Sequence, residues 1–314
     1  MRLRNGTSGR IFAVAVLAIA IVRPACAQTY SVRGASAFRT DSALVVVPVT
    51  VVDRRGAIVN GLAGNAFTLT EDGVPQPIRS FSEDDAPVSL GVVLDMSGSM
   101  KGVLGAAKES LRTLMKDANP EDELFLNGVS TQPRAYSAFE DGVDETMRRV
   151  ESEHAEGYTA LIDTVYVSLQ ELRAGVHPRK ALIVISDGMD NHSRYTREEL
   201  LQLAVESDAQ VYTIATVGAV NPVQAPKPLV MTEAKRGLCF LEDLAARTGG
   251  ISFVVSNGLD ISRAAASIDR ALRNQYVIGY VPGDKRGPGQ WRKIRVKVAG
   301  SGMRAYARTG YRPD

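Results

Sequence analysis

Cysteine, histidine and tryptophan are scarce in this chain: 314 residues hold two cysteines, three histidines and one tryptophan. Each scarcity removes a class of chemistry. His154, His177 and His192 sit in polar surroundings, and none is spaced from another histidine or a cysteine as zinc ligands are, so all three read as solvent-facing loop residues. Cys239, beside Phe240 and Leu241 at the start of an expected helix, reads as a packed small residue rather than a nucleophile. Also missing are the Gly-x-Ser-x-Gly elbow, the Ser-x-x-Lys pair, the His-Glu-x-x-His helix and the Gly-x-x-x-x-Gly-Lys phosphate loop.

Long apolar runs are missing too, with one exception. Arg2, Arg4 and Arg10 precede an unbroken apolar stretch from Ile11 to Val22, and Ala25-Cys26-Ala27 follows as a small-residue cleavage pattern. A dozen apolar residues fall short of the roughly 20 that a spanning helix needs. Residues 1–27 therefore read as a removable signal peptide, and the mature chain as exported with no transmembrane span. Arg23 stands against the competing outcome, lipid attachment at Cys26. The leader carries four arginines and no acid, so its removal takes the net charge from +2 to −2. No basic block remains to serve as a nucleic-acid footprint. Cys26 leaves with the leader, which excludes an internal disulfide and makes the fold depend on its core.

What is present is an ordinary globular composition, 45% hydrophobic and 23% charged, arranged in two patterns. Residues 42–80 read as β structure: the branched run Ala43–Val52 ends at a turn beginning Asp53, and Ala66–Thr70 alternates up to Glu71-Asp72-Gly73. From Val88 onward strands alternate with helices, the sign of a mainly parallel sheet covered on both faces. Strands are expected at Val88–Leu94, Ala181–Ile185 and Val211–Ala215, with a hairpin-like pair at Glu123–Val129 and Arg134–Phe139. Helices are expected at Val103–Lys116, Val143–Ser152, Ala160–Leu172, Thr196–Glu206, Leu238–Arg247 and Ile261–Asn274. The Pro-rich stretch Gly218–Lys227 reads as a loop. After Asn274 strand character returns, with Lys293, Arg295 and Lys297 alternating with Ile294, Val296 and Val298, read as a solvated strand face that resists edge aggregation. The fold class is thus α/β: a doubly wound sheet flanked by helices over 86–274, mounted on a small β-sandwich made from 42–80 plus 275–312.

Chemistry concentrates where the first buried strand ends, at Leu94-Asp95-Met96-Ser97-Gly98-Ser99-Met100. Ligands of open α/β sheets bind at this end of the strands. Asp95, Ser97 and Ser99 offer three oxygens from one turn, which suits a hard cation, although serine and aspartate are also ordinary turn and cap residues. Two further strand-end segments can converge on the same point: Gly157-Tyr158-Thr159-Ala160-Leu161 and Ile185-Ser186-Asp187-Gly188. Asp190 and Asn191 lie just beyond; they could support the ligands from behind, but short polar residues in such a loop need no such role, and they read first as ordinary loop residues.

These three segments resemble the metal-ion-dependent adhesion site of von Willebrand factor type A domains. The resemblance extends through Val51–Gln76 and Tyr276–Tyr280 to the flanks of a bacterial family of exported proteins of this type. It implies that Ser97, Ser99 and Thr159 reach a divalent cation directly, Mg²⁺ first and Mn²⁺ or Ca²⁺ as alternatives, while Asp95 and Asp187 act through water. It also implies that a glutamate or aspartate of a protein partner completes the shell, with no catalytic residue involved. Met100 and Lys101 stand where some relatives have acids for a second metal site. Two other readings compete: a metal-assisted hydrolase, which lacks an evident base, and a module in which the ion only stabilises the fold.

Overall fold

The computed structural model describes residues 44–217, 228–283 and 289–313. The leader read at 1–27 and the loop read at 218–227 lie outside the described residues. The first described strand, β1 (Val45–Val52), is a branched run whose alternate members Val47, Val49 and Val51 are fully buried. β2 (Phe67–Glu71), β3 (Val74–Gln76) and β4 (Ile78–Asp84) follow. Asp72 and Gly73, which join β2 to β3, have φ of 49° and 84°, the double positive φ that a tight two-residue hairpin demands and that Asp-Gly supplies.

The middle of the chain alternates: β5 (Val88–Asp95), α1 (Leu104–Asp117), β6 (Glu123–Val129), β7 (Arg134–Ser137), α2 (Val143–Glu151), α3 (Leu161–Glu171), β8 (Arg179–Ser186), α4 (Arg197–Glu206), β9 (Gln210–Thr216), α5 (Pro228–Thr248), β10 (Ser252–Val255) and α6 (Gly258–Arg273). Their strands form one sheet in the order β10-β9-β8-β5-β6-β7, in which only β7 is antiparallel to its neighbour. Every residue of the central strand β5 is buried, as both faces are covered. Leu111 of α1 and Ile261 and Ile268 of α6 pack with Val92 and Leu94 on one face. Val165 of α3, Leu200 of α4 and Leu241 and Leu244 of α5 pack with Val93 and Val184 on the other. The capping box read at Thr196 is present: its hydroxyl accepts from the Glu199 amide at 3.2 Å, and the Glu199 carboxylate accepts from the Thr196 amide at 2.8 Å.

The chain returns through β11 (Gln275–Tyr280), β12 (Arg292–Val298), β13 (Arg304–Tyr306) and β14 (Gly310–Tyr311). Both flanks mix in two antiparallel sheets, β13-β1-β11-β4 and β14-β12-β2-β3. These enclose a core of Val47, Val49, Phe67, Leu69, Ile278 and Ile294. Within it Glu71 is 3% exposed and accepts from the hydroxyls of Tyr280 (2.6 Å) and Tyr311 (3.0 Å), with the Arg292 guanidinium at 3.2 Å. Contacts with the central sheet lie at the starts of its parallel strands. Gln275 of β11 donates to Gln210 and Tyr212 of β9, and Arg179 of β8 donates to the Gln275 side-chain carbonyl at 3.0 Å.

Three elements differ from the sequence reading. Helix α5 begins at Pro228, ten residues before the expected Leu238; a proline at the first helical position loses no hydrogen bond, and it opens the helix here. β10 was not expected, because it is four residues long and exposes Val254. β12 lies between β14 and β2, but its ladder to β14 reaches only Arg292 and Lys293, so of the three cations read as edge protection only Lys293 sits on a stretch flanked on both sides. Among the described residues no helix is long and apolar enough to cross a membrane.

Candidate functional site

At the end of β5 the chain passes through Ser97 in extended conformation into a single 3₁₀ turn, Gly98–Gly102, and then into α1. The fully buried Met100 anchors this turn, and its amide donates to the Ser97 carbonyl at 3.0 Å. Backbone thus holds the turn, and Ser97 makes no side-chain cap. The Ser97 and Ser99 hydroxyl oxygens stand 3.1 Å apart, with Ser97 buried and Ser99 open to solvent. The pair is an oxygen-lined lip on a rigid turn.

Asp95 lies beneath it with no exposed surface. One carboxylate oxygen accepts the Ser97 amide at 2.9 Å, and the other accepts the hydroxyl of Ser186, the last residue of β8, at 2.6 Å. The Ser186 hydroxyl in turn accepts the Gly188 amide at 3.0 Å. This chain joins the loops after β5 and β8 and brings Asp187 near enough to Asp95 for their charges to interact.

The third segment is tied in through its backbone. The Thr159 amide donates to the Asn191 side-chain carbonyl at 3.0 Å, and the Thr159 carbonyl accepts the amides of Asn191 (3.0 Å) and His192 (3.1 Å). Glu156 donates its amide to the Met96 carbonyl, and Ala160 donates to Ser130. The Thr159 hydroxyl enters none of these bonds, and the residue is 4% exposed.

Electrostatically the site is short of positive charge. Burial pushes the Asp95 carboxyl up to about 6; the Ser186 and Ser97 hydroxyls and the Ser97 amide pull the other way, and the Asp187 charge adds to the rise. Among the described residues no lysine or arginine forms an ion pair with Asp95 or Asp187. The Asp95 and Asp187 carboxylates and the Ser97 and Ser99 hydroxyls are all oxygen donors of the kind a hard divalent cation takes, and a buried carboxylate beside a like charge is stabilised by one.

Several positioning residues escaped the sequence reading. Ser186 was read only as part of the strand-end segment, with no role of its own, yet its hydroxyl donates to Asp95. Asn191, read as an ordinary loop residue, holds the Thr159 amide. Asp163, at 8% exposure, accepts the amides of Arg194 and Tyr195 and fastens the far end of the same loop to α3. Gly188 (φ +75°) meets Gly237 of α5 backbone to backbone: a Cβ on Gly237 would fall 2.6 Å from the Gly188 carbonyl carbon. His192, read as a plain solvent-facing residue away from the site, stacks on Tyr158 with ring centroids 5.3 Å apart, at the rim beside Thr159. Cys239 is exposed rather than packed: α5 turns Phe240 and Leu241 inward and leaves Cys239 in a surface recess with Arg197 and Lys235.

Residues 90–189 match the family described as von Willebrand factor type A domain. No curated protein matches the chain. Similar solved structures include conserved hypothetical protein BatB from Bacteroides thetaiotaomicron (20% identity, 59% of this chain and 98% of that one, TM-score 0.46). Another is the vWF domain of the type V pili tip protein Mfa5 from Porphyromonas gingivalis (12% identity, 60% and 95%, TM-score 0.48). A third is the pilus adhesin SpaC from Lactobacillus rhamnosus GG (9% identity, 81% and 49%, TM-score 0.48). The central sheet and its helices have the type A fold, with the two antiparallel sheets added at one end.

Proposed function

We propose that the chain is an exported interaction module that grips an acidic group of a protein partner through a divalent cation. In this reading Ser97, Ser99 and Thr159 hold the ion directly, and Asp95 and Asp187 hold it through water. Mg²⁺ is the first candidate and Mn²⁺ or Ca²⁺ the alternatives. The bound ion supplies Lewis acidity and unspent positive charge, because neutral hydroxyls make up most of its direct ligands. A glutamate or aspartate of the partner then completes the shell. The observation that carries the reading is the buried Asp95, raised to about 6 beside a second carboxylate and the Ser97–Ser99 hydroxyl pair, with no ion-paired cation among the described residues to balance it. Export rests on the leader-like residues 1–27.

Titration calorimetry on the chain from Gln28 onward tests the metal. Binding of Mg²⁺, Mn²⁺ or Ca²⁺ that disappears in Thr159→Ala plus Asp187→Ala is the expected result. Absence of binding, or binding unchanged in the double variant, overturns the proposal. His192 at the rim gives a specific reason to test the hydrolase reading. Chelator-sensitive turnover that is lost in His192→Ala would favour an enzyme. A module merely stabilised by its ion would lose thermal stability on chelation and retain nothing from an envelope extract that an Asp95→Ala variant fails to retain.

A further inference from the structure

The outer face of the sheet β14-β12-β2-β3 carries three cations, Lys293, Arg295 and Lys297, for which no ion pair is formed among the described residues. β12 turns Arg292 and Ile294 inward and Lys293, Arg295 and Lys297 outward. The register sets Arg295 opposite Thr70, Lys297 opposite Thr68 and Lys293 opposite Gly310, so the cross-strand neighbours are neutral. The nearby acid Asp72 accepts the Lys293 amide at 3.0 Å. Elsewhere on the surface several arginines are paired, among them Arg134 with Glu153, Arg149 with Asp141, Arg247 with Asp243, and Arg308 with Asp208. The three outward cations repeat every second residue, about 7 Å apart and inside the Debye length of roughly 8 Å, so they repel one another in the free protein.

A fourth residue completes the surface. Trp291, 40% exposed, lays its indole over Gly310: a Cβ at Gly310 would overlap the ring. Because Gly310 faces Lys293 across the ladder, the indole lies on the basic face. An amphipathic ring beside three outward cations on one sheet face fits the headgroup layer of an anionic bilayer. We propose that this face docks the protein on an anionic lipid surface, with Lys293, Arg295 and Lys297 against the phosphates and Trp291 at the headgroup boundary. Docking there leaves the Asp95 loop at the far end of the parallel strands. The inference is independent of any metal at that loop.

Vesicle co-sedimentation tests it with the chain from Gln28 onward, which includes the whole compact unit Ser42–Asp314. Wild type is expected to sediment with vesicles of equal parts phosphatidylglycerol and phosphatidylcholine, to stay in solution with pure phosphatidylcholine, and to come off as salt is raised. Replacement of all three cations by threonine, which keeps a strand-forming side chain, is expected to lower partitioning roughly 100-fold, at about fivefold per cation. Circular dichroism and the thermal midpoint establish that this variant is folded. Trp291→Ala is expected to weaken vesicle binding several-fold while leaving retention on a dextran sulfate column unchanged. No binding of wild type to the anionic vesicles, or a folded triple variant that binds as well as wild type, overturns the proposal. Retention on dextran sulfate without vesicle binding replaces the lipid by a soluble polyanion and overturns it equally.

Discussion

Two carboxylates are buried to nearly the same degree at opposite ends of this molecule, and their surroundings differ in one respect. Glu71, inside the antiparallel sheets, faces a guanidinium and two tyrosine hydroxyls, so its charge is matched by the protein itself. Asp95, at the end of β5, receives one amide and one hydroxyl and has a second carboxylate for a neighbour. Hydrogen bonds satisfy its oxygens but leave its charge unmatched. A buried ion completed from within is a structural device, whereas one left incomplete awaits something from outside.

The strongest challenge to this contrast is Arg292→Ala. It strands Glu71 without its cation and is expected to destabilise by about 3–5 kcal/mol in urea unfolding. A loss under about 1 kcal/mol would mean that the tyrosines alone suffice. Next comes Asp95 in the metal-free protein. Its folded value lies above its unfolded one, so its ionisation disfavours folding: stability is highest below the unfolded value of 3.8, falls as pH rises through about 6, and levels off above. The fall is about 3 kcal/mol, and saturating cation is expected to remove it. Asp95→Asn should flatten the profile, and profiles identical in the two proteins would refute the charge argument. Tyr280→Phe removes one donor to Glu71 and is expected to cost about 2 kcal/mol, read as a lowered denaturation midpoint. The smallest effect expected is at Asn191→Ala, which frees the Thr159 amide and should weaken cation affinity about tenfold in calorimetry, with little loss of stability. Stability falling as far as affinity would mark Asn191 as a fold residue instead.

Much of this was visible in the residues before the coordinates. The continuous apolar runs around Val92 and Ile183 specified buried parallel strands, because only a strand covered on both faces tolerates such a run. Thr196 and Glu199 specified a helix start. Asp95, Ser97, Ser99, Thr159 and Asp187 were legible as strand-end oxygens on three loops. What stayed hidden were pairings over distance. Ser186 bonding Asp95, Asn191 bonding Thr159 and Gly237 lying on Gly188 each depend on which loops are neighbours, and no local periodicity encodes that. Cys239 was misplaced for a simpler reason: a short apolar run at a helix start does not say which side of the helix faces the sheet.

The interleaving of the chain's two flanks governs how the molecule can assemble. β1 finds its ladder partners in β11 and β13, with Val47 opposite Ile278 and Thr50 opposite Tyr306. Some 230 residues of intervening chain must therefore emerge, and most of them fold, before the valine-rich strand is covered. Contacts of such separation slow folding and leave apolar strands open to wrong partners in the interim. The same arrangement makes the antiparallel unit a closing clasp: truncation just before Gln275, after α6, would leave β1 without either neighbour, while the central sheet would retain all six of its own strands.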